Sequence, residues 1–187
     1  MDKYLELVKE YIDKGCLNNG SDRDVKHYER TLYWLLQLKS DSDQALQIAA
    51  YSHDAERVFR TAQYDSISKS DKGFRDENHL EHHQNTGAKI ISDFLLKNGA
   101  NKSLAECVSL LISKHEVGGN DDQNLLKDAD SLSFFENNLE SFLTKQVEKV
   151  GKEKVRDKFN WMYERISSEK AKEIANKWYQ DALQKLG

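Results

Sequence analysis

Apolar residues recur every three to four positions along almost the whole chain, and no segment alternates apolar and polar residues over the length of a strand. Leu5, Val8 and Ile12 mark a first helix, ending near Gly15 and the turn-rich "NNGSD". Asp24 is placed to cap a second, with Thr31, Trp34, Leu35 and Leu38 on one face. "SDSDQ" restarts the chain into a third helix carrying Leu46, Ala49, Ala50, His53 and Asp54. A fourth is predicted from about Leu80 to Leu96, stopping at "KNGANKS" with Gly99 as its C-terminal cap. A fifth covers about Leu104 to Lys114, a sixth Gln123 to Lys145, and two more fill Lys152 to Leu186. Only the stretch from Arg60 to Asn78 is polar and aperiodic. Connections longer than ~12–15 residues are usually functional, and this one is expected to act as a lid or rim.

The expected fold is therefore all-α, a single-domain helical bundle over residues 1–187, with C-terminal helices at 150–186 packed on the rest. Composition agrees: 187 residues suffice for a sizeable core, and the absence of proline removes the strongest helix breaker. The net charge of −4 offers no general field for a nucleic acid polymer or an anionic membrane. No apolar run approaches the ~20 residues of a membrane span, and the N-terminus lacks the layout of a signal peptide. Cys16 and Cys107 have no metal-like or redox-like spacing, and Cys107 reads as a small buried thiol. A cytoplasmic protein is the expectation.

Ionisable residues interrupt several apolar stripes. Asp54 continues Leu46 and Ala50 at steps of four, with His53 beside it. His27 is in register with Thr31, Trp34 and Leu38, and His83 with Gly87, Ile90 and Phe94. His115 follows Val108, Leu111 and Ile112, and Asp130 lies between Leu126 and Phe134. Buried carboxylates are strongly disfavoured unless paired or metal-bound, and bundles build metal sites from inward side chains on facing helices. Imidazole plus carboxylate without thiolate favours a catalytic Mn, Fe, Co, Ni, Mg or Zn ion over a closed structural zinc.

His27, His53-Asp54 and Asp130 in "KDADSLSFF" together resemble the H…HD…D pattern of the HD-domain metal-dependent phosphohydrolases, over about residues 22–143. The resemblance implies an all-helical scaffold on which His27, His53, Asp54 and Asp130 bind a divalent metal ion. Asp130 rather than Asp128 matches the family's Ala-Asp. "HHQNTGAKII" is similar to the His-x-x-x-Gly-Ala segment of two-metal HD proteins, matching His83. "ISKHE" is similar to their His-His-Glu, with Lys114 in place of the first histidine and His115 matching the second. One ion, with His83 and His115 contacting substrate or the ligands, is the expected arrangement; two ions is the alternative. His79 and His82 read as loop or surface histidines. "AAYSHDAER", "LISKHEVGGNDDQNLLKDADSLSFFE" and the last hundred residues also resemble a domain-of-unknown-function family related to HD proteins, which implies no activity.

The implied reaction is hydrolysis of a small phosphorylated molecule, a nucleotide or another phosphate ester, by metal-activated water. Asp54 and Glu56 are the expected catalytic carboxylates, Glu56 as proton carrier. Arg30, Arg57 and Lys114 are placed to hold phosphate, Arg57 and Lys114 first, and Lys72 and Arg75 lie on the polar segment. Tyr64 or Phe74 could stack on a base. The C-terminal aromatics Phe159, Trp161, Met162, Tyr163, Trp178 and Tyr179 read as core, or in part as a face towards a partner chain in a homodimer. The rival to an enzyme is a silent metal-containing binding or sensing module. An oxygen-using di-iron enzyme is a third option, against which Lys114 counts.

Overall fold

A computed structural model describes residues 3–18, 22–60, 72 and 75–187. Helices account for its regular structure, and no strand occurs among the described residues. They are α1 (Lys3–Asn18), α2 (Asp22–Leu38), α3 (Gln44–Ser52), α4 (Ala55–Phe59), α5 (Glu77–Lys97), α6 (Lys102–Ile112) and α7 (Asp121–Asn137). After α8 (Leu139–Ser141) comes a π-helical turn, Phe142–Gln146, and then α9 (Val147–Val150), α10 (Lys152–Glu164) and α11 (Glu169–Leu186). The protein is an all-α bundle, and no described helix is long and apolar enough to cross a membrane.

Local chemistry explains most boundaries. Asp43, Asp76, Asn101, Asn120 and Ser168 each accept a backbone N–H in the first turn of the helix they precede. Gly99 follows α5 at φ 82°, a left-handed conformation that suits glycine, and Ala100 N–H closes the end onto Leu95 O. Three boundaries depart from the sequence reading. α2 begins at Asp22, so Asp24 is not its cap; the side chain of Asp24 lies outside the described residues. α5 starts at Glu77 because Asp76 caps it, which puts His79 inside a helix. The expected sixth helix stops at Asn137, where two asparagines, poor helix formers, precede the short α8.

α7 is the centre of the bundle, lying against α2 on one side and α11 on another. Residues 126–135 are buried without interruption, although five of the ten are polar or charged beyond any apolar stripe: Lys127, Asp128, Asp130, Ser131 and Ser133. One apolar cluster joins α1, α2, α3, α5 and α6, and a second joins the end of α7 to α10 and α11. Cys16 belongs to the first, whereas Cys107 is exposed, correcting the expectation of a buried thiol. It sits about 100–160° round α6 from the buried Ala105, Val108 and Ile112, outside the face they share. Most of the expected lid, residues 61–71, 73 and 74, lies outside the described residues, Tyr64 and Phe74 included, and its last two residues, 77 and 78, are in α5.

Candidate metal centre

The doublet breaks its helix. α3 ends at Ser52, His53 caps it, and Asp54 (φ −93°, ψ 21°) starts α4 without using its carboxylate as a cap. Both Asp54 oxygens therefore remain available to other groups. Gly87 of α5 lies directly against this break: a Cβ there would stand 3.3 Å from His53 O and 3.4 Å from Glu56 N, so a side chain would push α5 away. That close approach brings His83, one turn earlier on α5, onto Asp54.

His27, His53 and Asp130 meet through single atoms. His27 Nε2 is 3.2 Å from His53 Nε2 and 3.2 Å from Asp130 Oδ1, and His53 Nε2 is 3.4 Å from the same oxygen. Ligands bonded at ~2.1 Å to one ion, at octahedral to tetrahedral angles, stand ~3.0–3.4 Å apart. The remaining ring nitrogens are anchored. His53 Nδ1 donates to Ala50 O at 3.0 Å, and His27 Nδ1 donates at 2.8 Å to Ser133 Oγ, which in turn donates to His27 O. Such contacts fix ring orientation and leave Nε2 for a cation.

Asp54, His83, His115 and Glu116 form a second group beside the first. His115 Nδ1 donates to Ile112 O at 2.8 Å, repeating the device used at His53. Its Nε2 is buried without a hydrogen-bond partner and lies 3.5 Å from Asp54 Oδ1. A buried polar atom left in this state is costly, and its lone pair fits a metal ion. His83 donates from Nδ1 to Glu56 Oε2 at 2.9 Å and contacts Asp54 Oδ1 through Nε2 at 2.8 Å. Asp54 thus turns Oδ1 to the second group, while Oδ2 lies 3.9 Å from His53 Nε2 and 3.0 Å from Arg57. Four imidazoles and the carboxylates of Asp54 and Asp130 fit transition metals better than Mg, whose preference is for oxygen.

Cations from two parts of the chain offset the carboxylates. Arg165, its side chain only 5% exposed, reaches back from the end of α10 to bond both Glu116 and Asp130, and donates from Nε to Ser131 Oγ at 2.9 Å. Arg57 bridges Asp54 and, at 3.6 Å, Glu116. Burial would raise the carboxyl pKa of Asp54 and of Asp130. Arg57 and His53 outweigh it at Asp54, Arg165 and His53 at Asp130, and both are held well below the ordinary range. Burial opposes protonation of His53, yet Asp54 and Asp130 raise its pKa to about 9. Burial also lowers His115, which Asp54 only partly offsets, so that ring is kept neutral. Burial pushes Lys158 down to about 8, against the pull of Glu116.

Glu56 is not a pocket-edge acid. The break at Asp54 turns it inward to 3% exposure, where Arg60 binds both oxygens at 2.8 and 2.7 Å and His83 binds one of them. Burial raises its pKa, but His83 and then Arg60 bring it to about 2. It is an ionised carboxylate that orients His83, unsuited to donating a proton near neutral pH. Glu116 is likewise at about 2, burial being outweighed by Arg165. Both carboxyls hold protons less firmly when folded than at their ordinary 4.5. Their contribution to stability is complete above that value and fades as pH falls towards 2. The melting temperature of metal-free protein should drop through this window, and Glu116→Gln should flatten the drop; a profile identical to wild type would refute the assignment.

Several other expected roles change. Arg30 is committed to Glu136 through two bonds of 2.7 and 2.8 Å and stacks on Tyr33, which fastens α2 to α7 and takes it from phosphate binding. Lys114 is exposed, in a surface hollow with Glu77, Gln84 and Val117. His83 and His115 occupy ligand-type positions. Arg75 pairs with Asp157 and Glu164 of α10. His79 is buried and stacked parallel to His83, against the surface reading, and burial followed by the His83 charge lowers its pKa to about 4. Asp128 accepts from Ser167 N and Ser168 N at 2.7 and 2.8 Å, pinning the α10–α11 turn, while Asp130 faces the histidines. Arg165 and Lys158 were not singled out by sequence; their only signal is a shared face of α10, seven residues apart.

No curated protein and no solved structure matches the chain. A family described as a domain of unknown function, DUF4202, matches residues 12–186. That span takes in both donor groups and the α10 cations, and the chain belongs to this family.

Proposed function

We propose that the protein is a metal-dependent phosphohydrolase of the HD type, acting on a small phosphate ester such as a nucleotide, with room for two ions. The observation that carries this reading is Asp54, which stands between two buried donor groups, one of them containing the orphaned His115 Nε2. The H…HD…D resemblance supports it, since His27, His53 and Asp130 meet and Asp54, a member of the second group, adjoins them at 3.9 Å; that second group favours two ions over the single ion expected from sequence. Divalent ions bound there would polarise a phosphoryl oxygen and lower the pKa of bound water from 15.7 towards ~7.

The chain's own residues do the positioning. Ser133, Ala50 and Ile112 aim three imidazoles, and Glu56 aims the fourth. Arg57, its side chain 43% exposed, is the centre's most accessible cation among those paired with its carboxylates and is suited to a phosphoryl oxygen. The test is metal analysis of reconstituted protein, followed by a panel of phosphate esters with Mn, Fe, Co, Ni, Zn and Mg. Up to two ions per chain and hydrolysis with a transition metal are expected. Stoichiometric metal with no turnover on any ester would favour the silent binding module, and an oxygen-dependent activity with two irons the oxidative alternative. Failure to retain any metal would remove both groups from consideration as ligands.

A further inference from the structure

We propose that Arg57 is a displaceable counter-cation of the metal centre: it holds one carboxylate oxygen of each donor group out of ligand spacing, and metal binding drives its guanidinium off both towards solvent. The proposal rests on the metal reading above and adds to it the step by which the two groups become complete.

The carboxylates of the centre divide their oxygens. Asp130 gives Oδ2 to Arg165 and turns Oδ1 to His27 and His53. Glu116 gives Oε2 to Arg165, while its Oε1 lies on the side of His115 Nε2. Arg165 thus grips the outer oxygens and leaves the inner ones to the imidazoles; its side chain is only 5% exposed, so it has no solvent to withdraw into. Arg57 does the opposite. Its Nη1 is 3.0 Å from Asp54 Oδ2, the oxygen on the side of His53, and its Nη2 is 3.6 Å from Glu116 Oε1. Both are inner oxygens, one for each donor group.

The spacing records the consequence. His27 Nε2, His53 Nε2 and Asp130 Oδ1 stand 3.2–3.4 Å apart, and His115 Nε2 is 3.5 Å from Asp54 Oδ1. The two oxygens within reach of Arg57 stand wider: Asp54 Oδ2 is 3.9 Å from His53 Nε2, and Glu116 Oε1 is 3.9 Å from His115 Nε2. Ligands of one ion stand ~3.0–3.4 Å apart, so each group lacks one oxygen at ligand spacing. A divalent ion attracts those oxygens with twice the charge of the guanidinium, and the two cations compete for the same lone pairs. Arg57 can yield. Its side chain is 43% exposed at the end of the five-residue α4, where water takes over its hydrogen bonds. His115 Nε2, buried without a hydrogen-bond partner, gains one in the same step.

The test uses the full-length protein and Mn alone, with titration calorimetry for affinity and phenylglyoxal labelling, mapped by mass spectrometry, for arginine exposure. Arg57→Met and Arg57→Gln should bind Mn about tenfold more tightly than wild type, the low end of the effect of a charged hydrogen bond because the side chain is partly exposed. Arg57→Lys keeps the charge and should stay closer to wild type. In the wild type, Mn should increase labelling of Arg57 and leave the buried Arg165 unlabelled. Neutral variants that bind Mn no more tightly than wild type overturn the proposal, since Arg57 then holds the ligands in place rather than competing for them. So does Arg57 labelling that Mn leaves unchanged or reduces, a result that needs no variant. Wild type that takes up no Mn instead defeats the metal reading, and this proposal with it.

Discussion

Asp54→Asn should empty both donor groups at once. Oδ1 serves the His83 and His115 side, while Oδ2 lies towards His53 and Arg57, so a single substitution weakens ligands for two positions. Asparagine keeps one oxygen but loses the charge, and its NH₂ would turn a donor towards Arg57 or towards an imidazole. Metal affinity should fall by more than ~100-fold, beyond the 10–100-fold typical of losing an outer partner such as Glu56. Hydrolysis of any ester that the wild type turns over should go with it. Folding should survive, because Arg57 is 43% exposed and water can replace the lost partner. Metal content by elemental analysis, with a thermal melt of the metal-free variant as control, checks this. Full wild-type metal content and affinity in folded Asp54→Asn would show that Asp54 ligates neither position.

The contrast with Glu56→Gln makes the result specific. Glu56 touches His83 alone among the histidines of the centre, so its loss should weaken the second group and spare His27, His53 and Asp130. Comparable loss at both positions would mean that the two groups do not act separately.

Periodicity made the helices legible because each amphipathic helix carries its own buried stripe, as Leu5, Val8 and Ile12 do in α1. It also exposed His27, His53, Asp54, His83, His115 and Asp130, since a charge on an apolar stripe is a local anomaly. Two features lay beyond it. The break at His53-Asp54 gives no local signal: "AAYSHDAER" has neither glycine nor proline, and the tertiary contact that accompanies the turn is the close approach of Gly87 from α5. Without the break, helical spacing puts Glu56 off the pocket and leaves its partnership with His83 unread. Lys158 and Arg165 were hidden for another reason. On a helix as charged as α10, a lysine and an arginine seven apart look like a solvated face, and only the buried carboxylates of α7 and the turn after α6 show otherwise. In α7, buried all round from 126 to 135, the stripe shows Asp130 but gives no sign that Lys127, Asp128, Ser131 and Ser133 are buried too.

Arg165→Met should cost the metal-free protein about 3–5 kcal/mol, the range for breaking a buried ion pair from one side. The arginine joins Glu116, Asp130 and Ser131, stacks on Trp161, and is itself 5% exposed, so water cannot take its place. Its loss leaves two buried carboxylates without their main counter-charge, whereas methionine keeps much of the packing volume. A typical domain has ~5–15 kcal/mol in all, so urea unfolding should show a large shift in midpoint. Three further results separate electrostatics from packing. Adding Glu116→Gln to Arg165→Met should restore part of the stability, since one stranded charge is gone. Lowering the pH should narrow the gap to wild type, because freed Glu116 no longer stays at about 2 and takes up a proton more readily. Metal should narrow it as well, as a bound cation supplies the charge that Arg165 did. A deficit under ~1 kcal/mol, or one indifferent to pH, to metal and to Glu116→Gln, would mean that α10 only packs against the centre rather than completing it.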